Sequence, residues 1–477
     1  MSEKIIGREK EKYILDCCCE SNRSEFVAVY GRRRVGKTFL VRKFFENRFA
    51  FYATGILDGD RDEQLRNFNE EISARGHSNL APATNWREAF ANLSRLIEGK
   101  PKAEKKIVFL DEIPWMDTMH SGFLSALDHF WNRWASVRGD VLLIVCGSAT
   151  SWMVGNLVNN KGGLHNRLTR QILLAPFTLN ECESYYRSRN ISMSRYEMVE
   201  AYMIFGGVPY YMSLMDGRYS LYQNVDMLYF EDGAELRNEY SNLYRSLFRD
   251  AENYSRVVQA LASKNIGLSR QEIVKFSKLP NGGSLTRILE DLIACGFVRV
   301  YRAFGRDRRG SLYQLIDGFS RFHIRFSKKR DSYSNKFWLQ FSSTPAHNAW
   351  SGIAFEQVCL LHVDQIKQKL GISGILTEVS SWRSNEKAGN GRHGAQIDLV
   401  IDRSDKVINL CEIKYASGEF AIDRKYDAVL RDRRSAFAAA TQTRKAVHTT
   451  MITTFGVKRN EYKGAVQSEV TIDDLFS

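Results

Sequence analysis

The stretch "FVAVYGRRRVGKTFLVRKFFE", residues 26–46, sets an apolar run before a glycine and then a segment whose apolar positions recur at helical spacing. A short apolar run that stops at Gly31 reads as a buried strand, and the residues from Lys37 onward read as a helix, so the order is strand, loop, helix. Inside the loop, "GRRRVGKT" satisfies the spacing GxxxxGK[ST]. Glycines at both ends let backbone N–H groups wrap phosphate oxygens at the start of the helix. Lys37 can then reach the β and γ phosphates, and Thr38 can bind Mg²⁺. Gly31, Arg32, Arg33, Arg34, Val35, Gly36, Lys37 and Thr38 are therefore expected to bind nucleotide, with ATP and Mg as the cofactors.

Outward from the loop, "IVFL" at 107–110, "VLLIVC" at 141–146 and "QILL" at 171–174 read as further buried parallel strands separated by helical patterns. The expected core is an α/β, doubly wound P-loop NTPase sheet. In "KKIVFLDEIPWM" the strand ends in Asp111, which presents a carboxylate to the Mg²⁺ beside the phosphates, and Glu112 can orient or deprotonate the attacking water. Ser148, in "LLIVCGSA", stands at the tip of another strand, where its hydroxyl could sense the γ-phosphate.

At 477 residues the chain exceeds what one hydrophobic core usually supports. Residues 1–175 form the expected ATPase core. Aromatic-rich helical segments broken by "GGVP" at 206–209 suggest a helical lid over 176–250. Over 251–316 the pattern runs helix, helix, the turn "NGGS", helix, then two strands around "GRDRRG", the order of a winged helix-turn-helix. There Ser284 could cap a helix carrying Arg287, and Arg302, Arg306, Arg308 and Arg309 could grip a DNA backbone. Residues 317–477 complete the chain, and only 380–395 reads as a mobile loop.

That last region holds "QIDLVIDRSDKVINLCEIKY", residues 396–415. Side chains alternate along a strand, so Glu412 and Lys414 project to one face while Cys411 and Ile413 face the other. The polar turn "DRSDK" would fold Asp398 back beside Glu412. Two carboxylates so placed can hold a divalent metal, and an adjacent ammonium can lower the pKa of a metal-bound water that attacks a phosphodiester.

A formal net charge of +13 attracts polyanions and favours a nucleic-acid partner, DNA rather than RNA. The eight cysteines form no CxxC pair and the nine histidines show no HExxH spacing, so neither a disulfide frame nor a zinc site is expected. No apolar stretch approaches the roughly 20 residues of a membrane helix, which points to a cytoplasmic protein with no membrane partner.

The runs "IIGREKEKYIL", "VYGRRRVGKTFLVRKF", "FLDEIPWM", "VCGSA", "APFTLNE" and "GGVPYYM" together resemble the archaeal-type P-loop ATPase family of the STAND branch of AAA+ relatives. The resemblance implies that Gly7 and Arg8 lie near the nucleotide and that Gly207 and Pro209 pack on the adenine from the lid. It also implies an arginine at the γ-phosphate: in "HNRLTR", where Asn166 replaces an expected glycine, Arg167 is the best match and Arg170 the other. An arginine donated by a neighbouring copy, as such ATPases often use, would require a homo-oligomer. The terminal spacing is similar to the PD-(D/E)XK nuclease superfamily, of α/β restriction-endonuclease-like fold, in which an acid on the preceding helix, here Glu356, often completes a metal site with Asp398 and Glu412. The expectation is an ATP-binding and hydrolysing switch that acts on nucleic acid and cleaves DNA with Mg²⁺. The alternative is a non-cutting, ATP-gated regulator whose nuclease-like domain only recognises DNA or protein.

Overall fold

The computed structural model describes residues 4–75, 80–101, 104–158, 166–248, 250–305, 311–330, 336–384 and 395–477, with the backbone alone at 328–330. The chain divides into two compact units, Met1–Ala175 and Pro176–Ser477.

The first unit is built on five strands: β1 (Glu25–Tyr30), β2 (Phe51–Thr54), β3 (Lys106–Asp111), β4 (Val141–Gly147) and β5 (Arg170–Leu173). They pair in the order β2-β3-β4-β1-β5, every pair parallel. Alternation divides the inner strands between two cores. Phe26, Ala28, Leu143 and Val145 pack on one face, and Val27, Val29, Leu142, Ile144 and Cys146 on the other, all fully buried. A sheet covered on both faces needs continuous apolar strands, which is why β1 and β4 read without polar alternation. Truncating Ile144 to alanine would remove about 2–5 kcal/mol of stability. The strand β2, "FYAT", escaped the sequence reading, because a four-residue run with one exposed threonine carries too little periodicity to register.

The second unit opens with helices, among them Arg195–Phe205 and the short Pro209–Ser213, and continues with helices Ala251–Ala262, Arg270–Ser277 and Gly283–Ala294. A two-stranded antiparallel hairpin follows, β6 (Val298–Arg302) and β7 (Ser311–Leu315). The cap of the third of these helices is Gly282, with Ser284 already inside the helix, so Ser284 does not cap it. Arg302 ends β6, while Arg306, Arg308 and Arg309 lie outside the described residues.

A mixed five-stranded sheet completes the unit: β8 (Thr377–Arg383), β9 (Gln396–Arg403), β10 (Val407–Lys414), β11 (Ala446–Thr453) and β12 (Ser468–Thr471), in the order β12-β11-β10-β9-β8. Strands β9 and β10 form an antiparallel pair, as the turn between them dictates, and β10 pairs with β11 in parallel across the long helix Arg424–Thr441. The expected mobile loop at 380–395 is corrected at its start: residues 380–383 belong to β8, anchored by buried Ser380 and Trp382, and 385–394 lie outside the described residues.

Candidate functional site

The first site grows from the C-terminal end of β1. Gly31 has φ +145°, and a Cβ there would stand 2.3 Å from the carbonyl oxygen of Leu174, so a glycine is required. Arg34 and Gly36 also take positive φ, at 76° and 89°, and the turn they make delivers the chain into the helix Lys37–Phe44. Val35 is buried in the core below and fixes the loop to it. Arg32 is buried as well, while Arg33 and Arg34 are half-buried. Lys37 is buried and folds back, its Nζ donating to the carbonyl oxygens of Gly31 at 3.0 Å and Arg32 at 2.9 Å.

Beside the loop, β3 delivers Asp111. Its Oδ2 accepts from Thr38 Oγ1 at 2.8 Å and its Oδ1 from the backbone N–H of Glu112 at 3.0 Å. Burial pushes the Asp111 carboxyl above its usual value, and the Thr38 hydrogen bond only partly offsets this. A buried acid whose donors are a hydroxyl, an amide and the Cys146 thiol, all neutral, is chemically suited to a hard cation.

Glu112 itself has φ +47°. Both of its oxygens are held by Ser148: Oε2 accepts from the backbone N–H at 2.9 Å and Oε1 from the hydroxyl at 2.5 Å. Ser148, expected at the γ-phosphate, thus directs both of its donors, the hydroxyl and the backbone N–H, at Glu112.

Gly7 and Arg8 both sit at φ 61°. The Arg8 side chain is buried and donates from Nη2 to the carbonyl of Ala175 at 2.8 Å, next to the Leu174 carbonyl that confines Gly31. The arginines expected at the γ-phosphate are not brought there. Arg170 begins β5 opposite Val27, four positions before Gly31, which is roughly 13 Å along the strands. Arg167 precedes it, and the adjoining Thr169 is hydrogen-bonded to Phe26 near the start of β1. Both arginines are exposed at the end of the sheet away from the loop. Gly207 and Pro209 belong to the second unit, where Gly207 closes against the Phe177 carbonyl and Pro209 starts its short helix.

The second site lies on β9 and β10. Leu399–Cys411 is the last pair in the register of β9 and β10, so Asp398 and Glu412 follow it on neighbouring strands. Asp398 Oδ1 accepts from Gln396 Nε2 at 2.6 Å, and burial followed by the nearby Glu412 pushes its carboxyl up. Glu412 Oε1 accepts from Tyr426 Oη at 2.6 Å and lies 3.0 Å from Lys414 Nζ, while Oε2 accepts from Arg433 Nη1. Burial alone would raise the Glu412 carboxyl, but Lys414, Arg433 and Tyr426 outweigh it and hold the group below its usual value. Glu356, on the helix Pro345–Leu361, is pushed up to about 8, chiefly by burial and next by the charge of Asp398. The acids are neighbours, yet among the described residues no group of three or more His, Cys, Asp or Glu is arranged to hold a metal ion. The set Glu356, Asp398 and Glu412 does not fit a metal as it stands, because Glu412 has two cations and a phenol of its own.

Tyr426 and Arg433 went unnoticed in the sequence. Their signal is present, since they stand seven residues apart in "RKYDAVLRDRR" and so share one helix face.

Residues 6–215 match the profile of a family described as an ATPase domain predominantly from Archaea, and the chain accordingly carries an archaeal-type, nucleotide-binding ATPase domain. Among curated proteins, an uncharacterized protein of Methanocaldococcus jannaschii is 24% identical over 433 residues, 90% of each chain. An uncharacterized ATP-binding protein of the same organism is 42% identical over 44 residues, 9% of this chain and 75% of that one. Among solved structures, a Walker-type ATPase of Pyrococcus abyssi is similar with a TM-score of 0.48 and 20% identity, covering 68% of this chain and 97% of that one. The ORC2 protein of Aeropyrum pernix is similar with a TM-score of 0.37 and 14% identity over 72% of this chain and 98% of its own. Among the described residues no helix is long and apolar enough to cross a membrane.

Proposed function

We propose that the protein is an ATP-hydrolysing switch acting on nucleic acid, DNA rather than RNA. In this reading the phosphate loop governs a helical lid at 176–250 and a winged helix at 251–316, and through them a nuclease-like domain at 317–477. The observation that carries the reading is the contact of Thr38 with Asp111 beside a Lys37 whose Nζ donates to two loop carbonyls.

A phosphate oxygen is charged and a carbonyl is not, so bound ATP draws Lys37 Nζ off Gly31 and Arg32. The N–H groups of the loop take the remaining phosphate oxygens. Thr38 and Asp111 are the residues that would hold Mg²⁺, and that ion, when bound, neutralises charge on the transferred phosphoryl group. Glu112 accepts the proton of the attacking water as the water oxygen bonds to the γ-phosphorus and the bond to the β–γ bridging oxygen breaks. Ser148 orients Glu112 for that step.

In the 251–316 segment the exposed face of helix Gly283–Ala294 presents Ser284 and Arg287, while Asp291 turns inward to Tyr254. An exposed arginine with small residues on the turn before it suits contact with a DNA backbone, although the exposed Glu290 one turn on opposes it. For the terminal domain we favour recognition over cutting, because the Glu412 carboxylate is already neutralised. Metal-dependent cleavage is the second reading, favoured by the adjacency of Asp398 and Glu412 on paired strands with Lys414 two residues on.

The test is ATP turnover measured with and without DNA, together with a nuclease assay in Mg²⁺ or Mn²⁺ on single- and double-stranded DNA and on RNA. Turnover that responds to DNA without any cleavage is expected. Cleavage lost in Glu412→Ala and Lys414→Ala would select the second reading, and turnover indifferent to every nucleic acid would sink the proposal.

A further inference from the structure

The donors around Glu412 come from two elements that converge on one carboxylate. Lys414 shares its strand face, and Tyr426 and Arg433 reach it from one face of the helix Arg424–Thr441. Lys414 also lies over the Tyr426 ring, 5.3 Å from its centroid. The carboxylate is 12% exposed, yet the side chains of Lys414 and Arg433 are 34% and 29% exposed, so solvent reaches the cations better than it reaches the acid they hold. Ammonium, guanidinium and phenol together are a donor set that suits a singly charged group with two equivalent oxygens. A carboxylate is one such group, and a phosphodiester is another.

We propose that Lys414, Tyr426 and Arg433 form a binding site for a backbone phosphodiester of nucleic acid, and that the Glu412 carboxylate keeps this site closed by occupying the place of the anion. The inference rests on the nucleic-acid half of the proposed function and not on cleavage. An internal carboxylate competes at high effective concentration, so an incoming phosphate must displace it. The other charged groups facing the cluster are Asp398, Glu356 and Arg321. Along the same helix Arg424, Lys425 and Arg434 are exposed, interspersed with the exposed Asp432 and an Arg431–Asp427 ion pair. The formal net charge of +13 favours the approach of a polyanion that repeats its phosphates.

The experiment uses the full chain in a metal chelator without nucleotide. Affinities are measured for a short labelled single-stranded DNA by fluorescence anisotropy and for inorganic phosphate by calorimetry. Glu412→Gln, which keeps the shape and removes the charge, is expected to bind DNA about tenfold more tightly than wild type. Adding Arg433→Gln to that variant should return the affinity to the wild-type level or below. Thermal melting confirms that each variant is folded, and Glu412→Ala supplies the same comparison if the glutamine variant does not fold. Unchanged or weaker DNA binding by a folded Glu412→Gln overturns the inference, and equal DNA binding in wild type and all variants does so while leaving the nucleic-acid reading intact. Tightening for inorganic phosphate alone would assign the site to a small anion and overturn the phosphodiester assignment. Failure of every form to bind DNA or phosphate would overturn both.

Discussion

Each unit of the molecule sets two carboxylates close together, and the company they keep separates the two centres. Asp111 and Glu112 are held by neutral donors, namely the Thr38 hydroxyl, a backbone N–H and both polar groups of Ser148. Their negative charge is oriented without being cancelled, which suits a centre that receives a cation with its substrate. Glu412 is held by an ammonium, a guanidinium and a phenol, and its charge is spent within the protein. Identical side-chain chemistry thus gives one centre that attracts cations and another that turns its own cations toward an acid. The nature of the hydrogen-bond donor, charged or neutral, decides which.

The contrast can be broken most severely at the first centre. Lys37→Ala removes the ammonium proposed to reach the phosphates and is expected to abolish ATP binding in calorimetry. Glu112→Gln keeps the Ser148 hydroxyl contact and the loop intact, so ATP should bind normally while turnover falls by roughly 10²–10⁴-fold. Normal hydrolysis in that variant would show that another group takes the proton. Ser148→Ala frees one oxygen of Glu112 and should lower kcat by about tenfold with KM little changed, the signature of a positioning residue. An equal rise in KM would instead place Ser148 on the substrate.

The second centre offers smaller effects. The folded-state carboxyl of Glu356 lies at about 8, above its ordinary 4.5. For an acid raised on folding, the stability it contributes is present below the ordinary value and is lost as pH climbs toward the folded one. Wild type should therefore lose melting temperature between about pH 5 and about pH 9, and Glu356→Gln, which cannot ionise, should lose less. Equal losses would mean that the group is ionised throughout. Tyr426→Phe removes one neutral donor from Glu412 while Lys414 and Arg433 remain, and should cost about 1 kcal/mol by denaturant unfolding.

Much of the first centre was legible because its chemistry is local. A loop that wraps phosphate needs its glycines and lysine within a few residues, so "GRRRVGKT" announces itself, and the apolar runs ending in Asp111 and Cys146 mark strands buried on both faces. What depends on distance along the sheet was not legible. Arg167 looks close to the loop in a list of motifs, but the parallel register of β5 against β1 carries it to the opposite end. The bond from Ser148 to Glu112 links strand ends 36 residues apart and leaves no trace in spacing. In the second unit the alternation of "LCEIKY" showed which residues share a face, yet the helix that closes over them lies beyond a turn, and nothing local says that Arg433 would answer Glu412 rather than solvent.

The closeness of Gly31 to Leu174 has a consequence for how this loop can vary over generations. The obstacle to a larger residue at position 31 is a backbone oxygen, not a side chain. A clash with a side chain can be relieved by shrinking the neighbour, so two positions can drift together. A clash with a carbonyl has no such partner, since every residue at 174 carries the same atom. Position 31 is thus shut to compensated change, while the side chain at 174 remains free to exchange for any other that fills its place in the core.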